Sequence, residues 1–60
     1  MSPSPAEQAF VELIEVSGDW YVRVVDGVRE AVEIFANEGF ANSYAEGQRL
    51  RLGLSEIIRP

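Results

Sequence analysis

The chain has 60 residues, of which 47% are hydrophobic, and its formal net charge is −5. A domain of this length buries only about 60% of the surface that its unfolded chain exposes, so it usually needs a disulfide, a metal or a partner subunit. Cysteine and histidine are both absent, which excludes disulfides and the usual zinc ligands. We therefore predict that the chain is stabilised by self-association.

The charge is unevenly distributed along the chain. Residues 1–47 hold nine acids and two arginines, a net charge of −7, whereas residues 48–60 carry a net charge of +2. A protein that binds duplex DNA needs several cations on one surface to displace counterions. Five arginines without a lysine, in an acidic chain, argue against nucleic acid as the partner.

The N-terminal segment predicts a short tail. Residues 1–7 contain two prolines, which favour extended backbone for themselves and for the residues before them. This segment has neither the basic region nor the apolar stretch of a secretory signal, and no apolar run approaches the roughly 20 residues of a membrane helix. We expect a cytoplasmic protein without a membrane partner.

Two strands and a turn are predicted next. Residues 8–16 (QAFVELIEV) and 20–25 (WYVRVV) are rich in residues that favour β-strands. The sequence Ser17-Gly18-Asp19 between them is typical of a turn. A loop of Gly18 and Asp19 alone would leave Glu15 beside Val22. A three-residue loop pairs Ile14 with Val22 instead, and we favour it because it collects one apolar face. That face holds Ile14, Val16, Trp20, Val22 and Val24, with Phe10 and Glu12 at its far end.

The opposite face of this hairpin would also be partly apolar. It would show Val11, Leu13, Tyr21 and Val25 alongside Glu15 and Arg23. A solvated sheet face should be mostly polar, so this composition suggests a second covering layer. One helix covers one face only, and we predict that a second copy covers the other. Trp20 is expected in the core under the helix.

Residues 26–36 allow two interpretations. Asp26-Gly27 is a hairpin signal, which makes residues 29–35 (REAVEIF) a third strand with Val32 and Ile34 on one side. Alternatively, Asp26 caps a helix whose apolar stripe contains Val28, Ala31, Val32, Phe35 and Ala36. We favour the strand because Asn37 fits the N-cap of a later helix. One face of that helix is predicted by the spacing of Phe40, Ala41, Tyr44, Ala45 and Gln48.

The predicted fold is α+β: a three-stranded antiparallel meander followed by one helix (βββα), with ββα(β) and a helical segment at 27–38 as the alternative. Residues 48–52 either end the helix or form a short strand, and Gly53 is the stop. We expect one domain over residues 8–54 and a C-terminal tail, 55–60, that docks because Leu54, Ile57 and Ile58 are apolar.

This chain lacks several of the side chains that most catalytic mechanisms use. Histidine, cysteine and lysine are absent, which removes the neutral-pH general base, the thiol nucleophile and the Schiff-base or phosphate-loop lysine. Glu12 and Glu15 lie three apart on a strand and point to opposite faces. We expect no enzyme, no cofactor, no metal and no small-molecule ligand.

Two resemblances can be drawn. The run FANEGFANSYAEGQRLRLGL (35–54) resembles the C-terminal half of short uncharacterised bacterial proteins, a resemblance that implies no activity. The run WYVRVVDG, the strand after it, and Phe35 leading into a helix resemble the three-strand-plus-helix arm-binding domain of phage integrases. This resemblance implies a fold only. The sheet that would face DNA carries Glu12, Glu15, Glu30 and Glu33.

The sequence thus predicts a non-enzymatic, homodimeric interaction protein that associates through the second sheet face or by exchanging its C-terminal segment. One alternative is an accessory module of a larger complex, bound through its sheet edge or tail. Another is a weak nucleic-acid binder using Arg23, Arg29, Arg49 and Arg51. The candidate interface residues are Val11, Leu13, Tyr21, Val25, Arg49, Arg51, Ile57 and Ile58.

Overall fold

The computed structural model describes residues 8–60, which form three β-strands followed by one α-helix. The elements are β1 (Ala9–Val16), β2 (Asp19–Asp26), β3 (Arg29–Phe35) and α1 (Glu38–Leu52). The sheet is antiparallel in the order β1-β2-β3. The predicted βββα fold is confirmed, and the helical alternative for residues 27–38 is wrong. The tail predicted for residues 1–7 lies outside the described residues.

The turn between β1 and β2 differs from both predicted loops. Ser17 (φ 52°) and Gly18 (φ 87°) alone form the loop, and Val16 lies opposite Asp19. Positive φ at both loop positions gives a hairpin turn whose twist matches the strands. The Glu15 carboxylate accepts a hydrogen bond of 3.0 Å from the Gly18 N–H, which further fixes this turn.

The shorter loop exchanges the two faces of β1. Leu13 lies opposite Val22 and Val11 opposite Val24, so the predicted pairing of Ile14 with Val22 is wrong by one residue. Val11 and Leu13, predicted on the interface face, are 0% and 3% exposed in the core. Ile14 and Val16, predicted in the core, lie on the opposite face, whereas Trp20 packs against the core as predicted. The buried core consists of Val11, Leu13, Val22, Val24, Ala41 and Ala45.

The helix begins after the predicted cap, Asn37, and its end agrees with one of the two alternatives for residues 48–52. The Asn37 side chain caps it by accepting a hydrogen bond of 3.2 Å from the Phe40 N–H. Residues 48–52 are its last turns, and Gly53 ends it with a left-handed φ of 69°. Ala41 and Ala45 face the sheet, and their small side chains let the helix approach closely.

The helix lies mainly over β1 and β2. The buried strand residues all belong to these two strands, whereas Ala31 and Glu33 of β3 are exposed although their pairing places them on the helix side. The C-terminal tail runs beside the other edge of the sheet. The Ile58 N–H donates to the Val11 carbonyl (2.8 Å), and the Leu13 N–H donates to the Ile58 carbonyl (2.9 Å). Leu54 and Ile57 pack against the core.

Candidate interaction surface

The sheet face that points away from the helix, here called the outer face, is rich in apolar side chains. A sheet face exposed to water normally carries mostly polar residues. Strand pairing places eleven residues on it, seven of them apolar. They are Phe10, Glu12, Ile14, Val16, Asp19, Tyr21, Arg23, Val25, Glu30, Val32 and Ile34.

The centre of the outer face is an apolar row that crosses all three strands. Ile14, Tyr21 and Ile34 are direct cross-strand neighbours in this row. Val16 and Val32 flank it. Ile34 is 57% exposed, Val32 50% and Val16 49%. The buried residues of the described chain all lie between the sheet and the helix, and none of residues 8–60 is buried on the outer face.

A charged cluster lies beside the row. The Arg23 guanidinium donates hydrogen bonds to the Glu30 carboxylate and, at 3.5 Å, to the Glu12 carboxylate. It also lies 5.2 Å from the centroid of the Phe10 ring, a cation–π contact. The hydrogen bond to Glu30 is the main cause that raises the pKa of Arg23 above its ordinary value. These charges are therefore compensated within the chain.

The sequence-predicted interface residues do not form one surface. Tyr21 and Val25 lie half-buried on the outer face, whereas Val11 and Leu13 are in the core. Ile57 packs against the core and Ile58 bonds to β1. The two helical arginines, Arg49 and Arg51, lie elsewhere, on the last turns of α1.

Sequence reasoning missed five apolar members of the outer face: Phe10, Ile14, Val16, Val32 and Ile34. The first three were assigned to the core face because of the wrong register. The last two were expected to share one side of β3, which is correct. Linking them to Tyr21 required knowing which residues of β2 they face.

Three of the four arginines considered for nucleic-acid binding lie beside carboxylates. Arg23 contacts two glutamates, Arg49 donates a 2.7 Å bond to Glu46, and Arg51 lies 3.8 Å from Asp26. Such pairing lowers the positive potential available to a phosphate backbone.

Other kinds of site find little support in the part of the chain that the structure describes. Residues 8–60 hold no group of three acidic residues placed to bind a metal ion. Over the same residues, no helix is both long and apolar enough to cross a bilayer. A shallow depression of about 440 Å³ beside β3 is lined by Val24, Asp26, Arg29, Glu30, Ala31 and Arg51.

Comparison with protein-family models, with curated proteins and with solved structures found no match for this chain. The functional interpretation therefore depends on the surfaces themselves.

Proposed function

We propose that this chain is a non-catalytic, self-associating interaction domain whose outer face packs against the outer face of a second copy. The observation that carries the proposal is the apolar row formed by Ile14, Tyr21 and Ile34, in which Ile34 is exposed and the other two are half-buried. A small chain that leaves such a row in water forgoes hydrophobic stabilisation that a second sheet would supply.

Two sheets can pack face to face at about 10 Å, with side chains from both faces interdigitating. Tyrosine is enriched in interface cores, and Tyr21 lies on the central strand at the middle of the row. A two-fold axis near Tyr21 would place the row of one copy on the row of the other. Val16 and Val32 would extend the apolar contact on either side.

The charged cluster adjoins the centre of this interface. Arg23 lies on the central strand, opposite Val32 and one residue pair from Tyr21, so the contact would partly cover the cluster. Pairing of its charges within the chain lowers the cost of removing them from water. The hydrogen bonds within the cluster leave the Arg23 guanidinium with carboxylate partners in its own chain.

The size of the outer face sets the expected affinity. Three strands spaced about 4.8 Å apart, each about eight residues long at about 3.3 Å per residue, give a face of about 14 by 26 Å. Stable interfaces bury about 800 Å² per partner, and this face is smaller. We therefore expect a weak contact with a dissociation constant in the micromolar range.

The test compares two glutamate substitutions of exposed apolar residues. Ile34→Glu places a charge in the apolar row, whereas Leu50→Glu makes a similar change on the exposed side of the helix, where Leu50 is 65% exposed. Sedimentation equilibrium over a range of concentrations should show wild-type association that Ile34→Glu weakens and Leu50→Glu leaves intact.

Ile14→Glu gives a second perturbation of the row on a different strand and should weaken association in the same way. Circular dichroism of each variant shows whether the fold is kept. A wild-type protein that stays monomeric at high micromolar concentration would refute the proposal. Equal weakening by Leu50→Glu would also refute it, because the effect would then come from added charge alone.

A further inference from the structure

One edge of the sheet is partly covered, whereas the other edge is open. The edge at β1 is partly covered, since Ile58 exchanges backbone hydrogen bonds with Val11 and Leu13. The edge at β3 has no neighbouring strand within residues 8–60. Open edges present unpaired backbone groups and invite pairing with another chain, so proteins commonly cover or interrupt them.

The hairpin geometry shows which backbone groups of β3 are available. Asp26 and Arg29 flank the two-residue loop between β2 and β3, and such flanking residues form a hydrogen-bonded pair. Hydrogen-bonded and non-bonded pairs alternate along antiparallel strands. The N–H and C=O groups of Glu30, Val32 and Ile34 therefore point away from β2, towards the open edge.

There is room for another strand beside β3. The helix lies over β1 and β2, and the helix-side residues Ala31 and Glu33 remain exposed. The space beside Ala31 is the shallow depression that Arg29 and Arg51 also line. An added strand would meet no element of the described chain at this edge.

The charges of β3 are arranged for pairing with a second copy of itself. Arg29 and Glu33 lie on the same face of the strand, two residues on either side of Ala31, and neither forms an ion pair within the described chain. Four residues of strand span about 13 Å, so these two side chains cannot reach each other. In an antiparallel pair centred on Ala31, Arg29 of each copy faces Glu33 of the other. Such a contact is self-complementary, as a two-fold interface requires.

The neighbouring registers lack this complementarity. Centring the pair on Glu30 or on Glu33 would place identical carboxylates opposite each other, which is destabilising. Centring it on Val32 would place Glu33 opposite Ala31, so that neither Arg29 nor Glu33 would have a charged partner. Among these registers, only the one centred on Ala31 joins opposite charges and avoids like ones.

We infer that two copies join the open edges of β3 in an antiparallel pair centred on Ala31, which creates a continuous six-stranded sheet. The six strands present one outer face of about twice the area. This contact uses backbone groups and charges that the outer-face contact does not use. The two contacts use different two-fold axes, so together they would produce assemblies larger than a dimer, whereas either contact alone produces a dimer.

Charge exchange tests the register in a protein whose outer face is blocked by Ile14→Glu, a substitution separated from β3 by β2. Arg29→Glu should weaken the remaining dimer about tenfold, because two attractive cross-strand pairs become repulsive. Glu33→Arg should do the same, and the double variant Arg29→Glu/Glu33→Arg should restore the affinity. Arg59→Glu is the matched control, since it makes the same charge change on the C-terminal tail and should have no effect.

Val32→Pro tests the edge contact without using charge. Proline removes the outward-pointing N–H of Val32 while leaving the pairing with β2, and proline is tolerated on edge strands. We expect this variant to abolish the dimer in the Ile14→Glu background. Failure of the double charge variant to restore affinity, or an unchanged mass for Val32→Pro, would overturn the inference.

The same variants separate this inference from the proposed function. If only the edge contact exists, Ile14→Glu leaves the mass unchanged and Val32→Pro yields monomers. If only the outer-face contact exists, Arg29→Glu has no effect, because Arg29 lies on the helix side of the sheet, and Ile14→Glu yields monomers. The second result would overturn the inference while keeping the proposed function.

Discussion

Leu13→Ala and Ile14→Ala together test the register of β1, which decides the composition of the outer face. The two residues are adjacent on β1, have side chains of equal size and point to opposite faces. Leu13 is 3% exposed and packs under the helix, whereas Ile14 is only partly buried on the outer face. The same truncation should therefore have very different costs at the two positions.

The expected costs follow from burial. Leu13→Ala removes about three methyl or methylene groups, each contributing about 0.8 kcal/mol on burial, and leaves a cavity. We expect a loss of about 3 kcal/mol in the free energy of unfolding. Ile14→Ala should cost about 1 kcal/mol, because its side chain keeps much of its contact with water in the folded chain. A domain of this size has about 3–9 kcal/mol in total, so the Leu13 variant loses much of its stability.

The assay is urea unfolding followed by Trp20 fluorescence, at protein concentrations low enough that association does not contribute. Equal slopes for the two variants would show that the unfolded states are comparable. The milder pair Leu13→Val and Ile14→Val gives the same comparison if Leu13→Ala unfolds at room temperature. The three-residue loop places Ile14 under the helix, so a larger loss at position 14 than at position 13 would refute the register.

Two local predictions concern the turn and the helix cap. Ser17→Asn should raise the free energy of unfolding by about 0.5 kcal/mol, because asparagine tolerates the positive φ of a two-residue hairpin loop better than serine does; a lower urea midpoint would contradict this account of the turn. Asn37→Ala should lower the free energy of unfolding by about 1 kcal/mol, because the Phe40 N–H loses its side-chain acceptor. An unchanged melting temperature would show that this cap contributes nothing.

The order of the elements was predictable from local chemistry. Gly27 follows Asp26 at a turn between two β-rich runs, and Asn37 precedes an apolar pattern with helical spacing. Each of these signals acts over a few residues, so it does not depend on the rest of the fold. The strand assignment of residues 29–35 followed from recognising that Asn37, rather than Asp26, begins the helix.

The register of β1 was not predictable in the same way. It depends on whether Ser17 takes a positive φ, which is uncommon for a residue with a side chain. The strain at one serine is offset by burying Val11 and Leu13 under the helix, a tertiary gain that no local pattern contains. Because the strand period is two, this single turn decided which half of β1 became core and which became surface.

The small core and the two open surfaces have one physical origin. A helix of 15 residues covers β1 and β2 and contacts Phe35 of β3 through Tyr44, but it leaves Ala31 and Glu33 exposed. Within residues 8–60, the fully buried core contains one leucine, three valines and two alanines. The outer face carries large apolar residues, among them Phe10, Tyr21 and Ile34, whereas Trp20, Phe35 and Tyr44 pack beside the core and are only partly buried. Binding that occurs only in the folded state adds to stability by mass action. Association through the outer face would therefore supply the stabilisation that disulfides or a bound metal give to other small domains, which a chain without cysteine or histidine lacks.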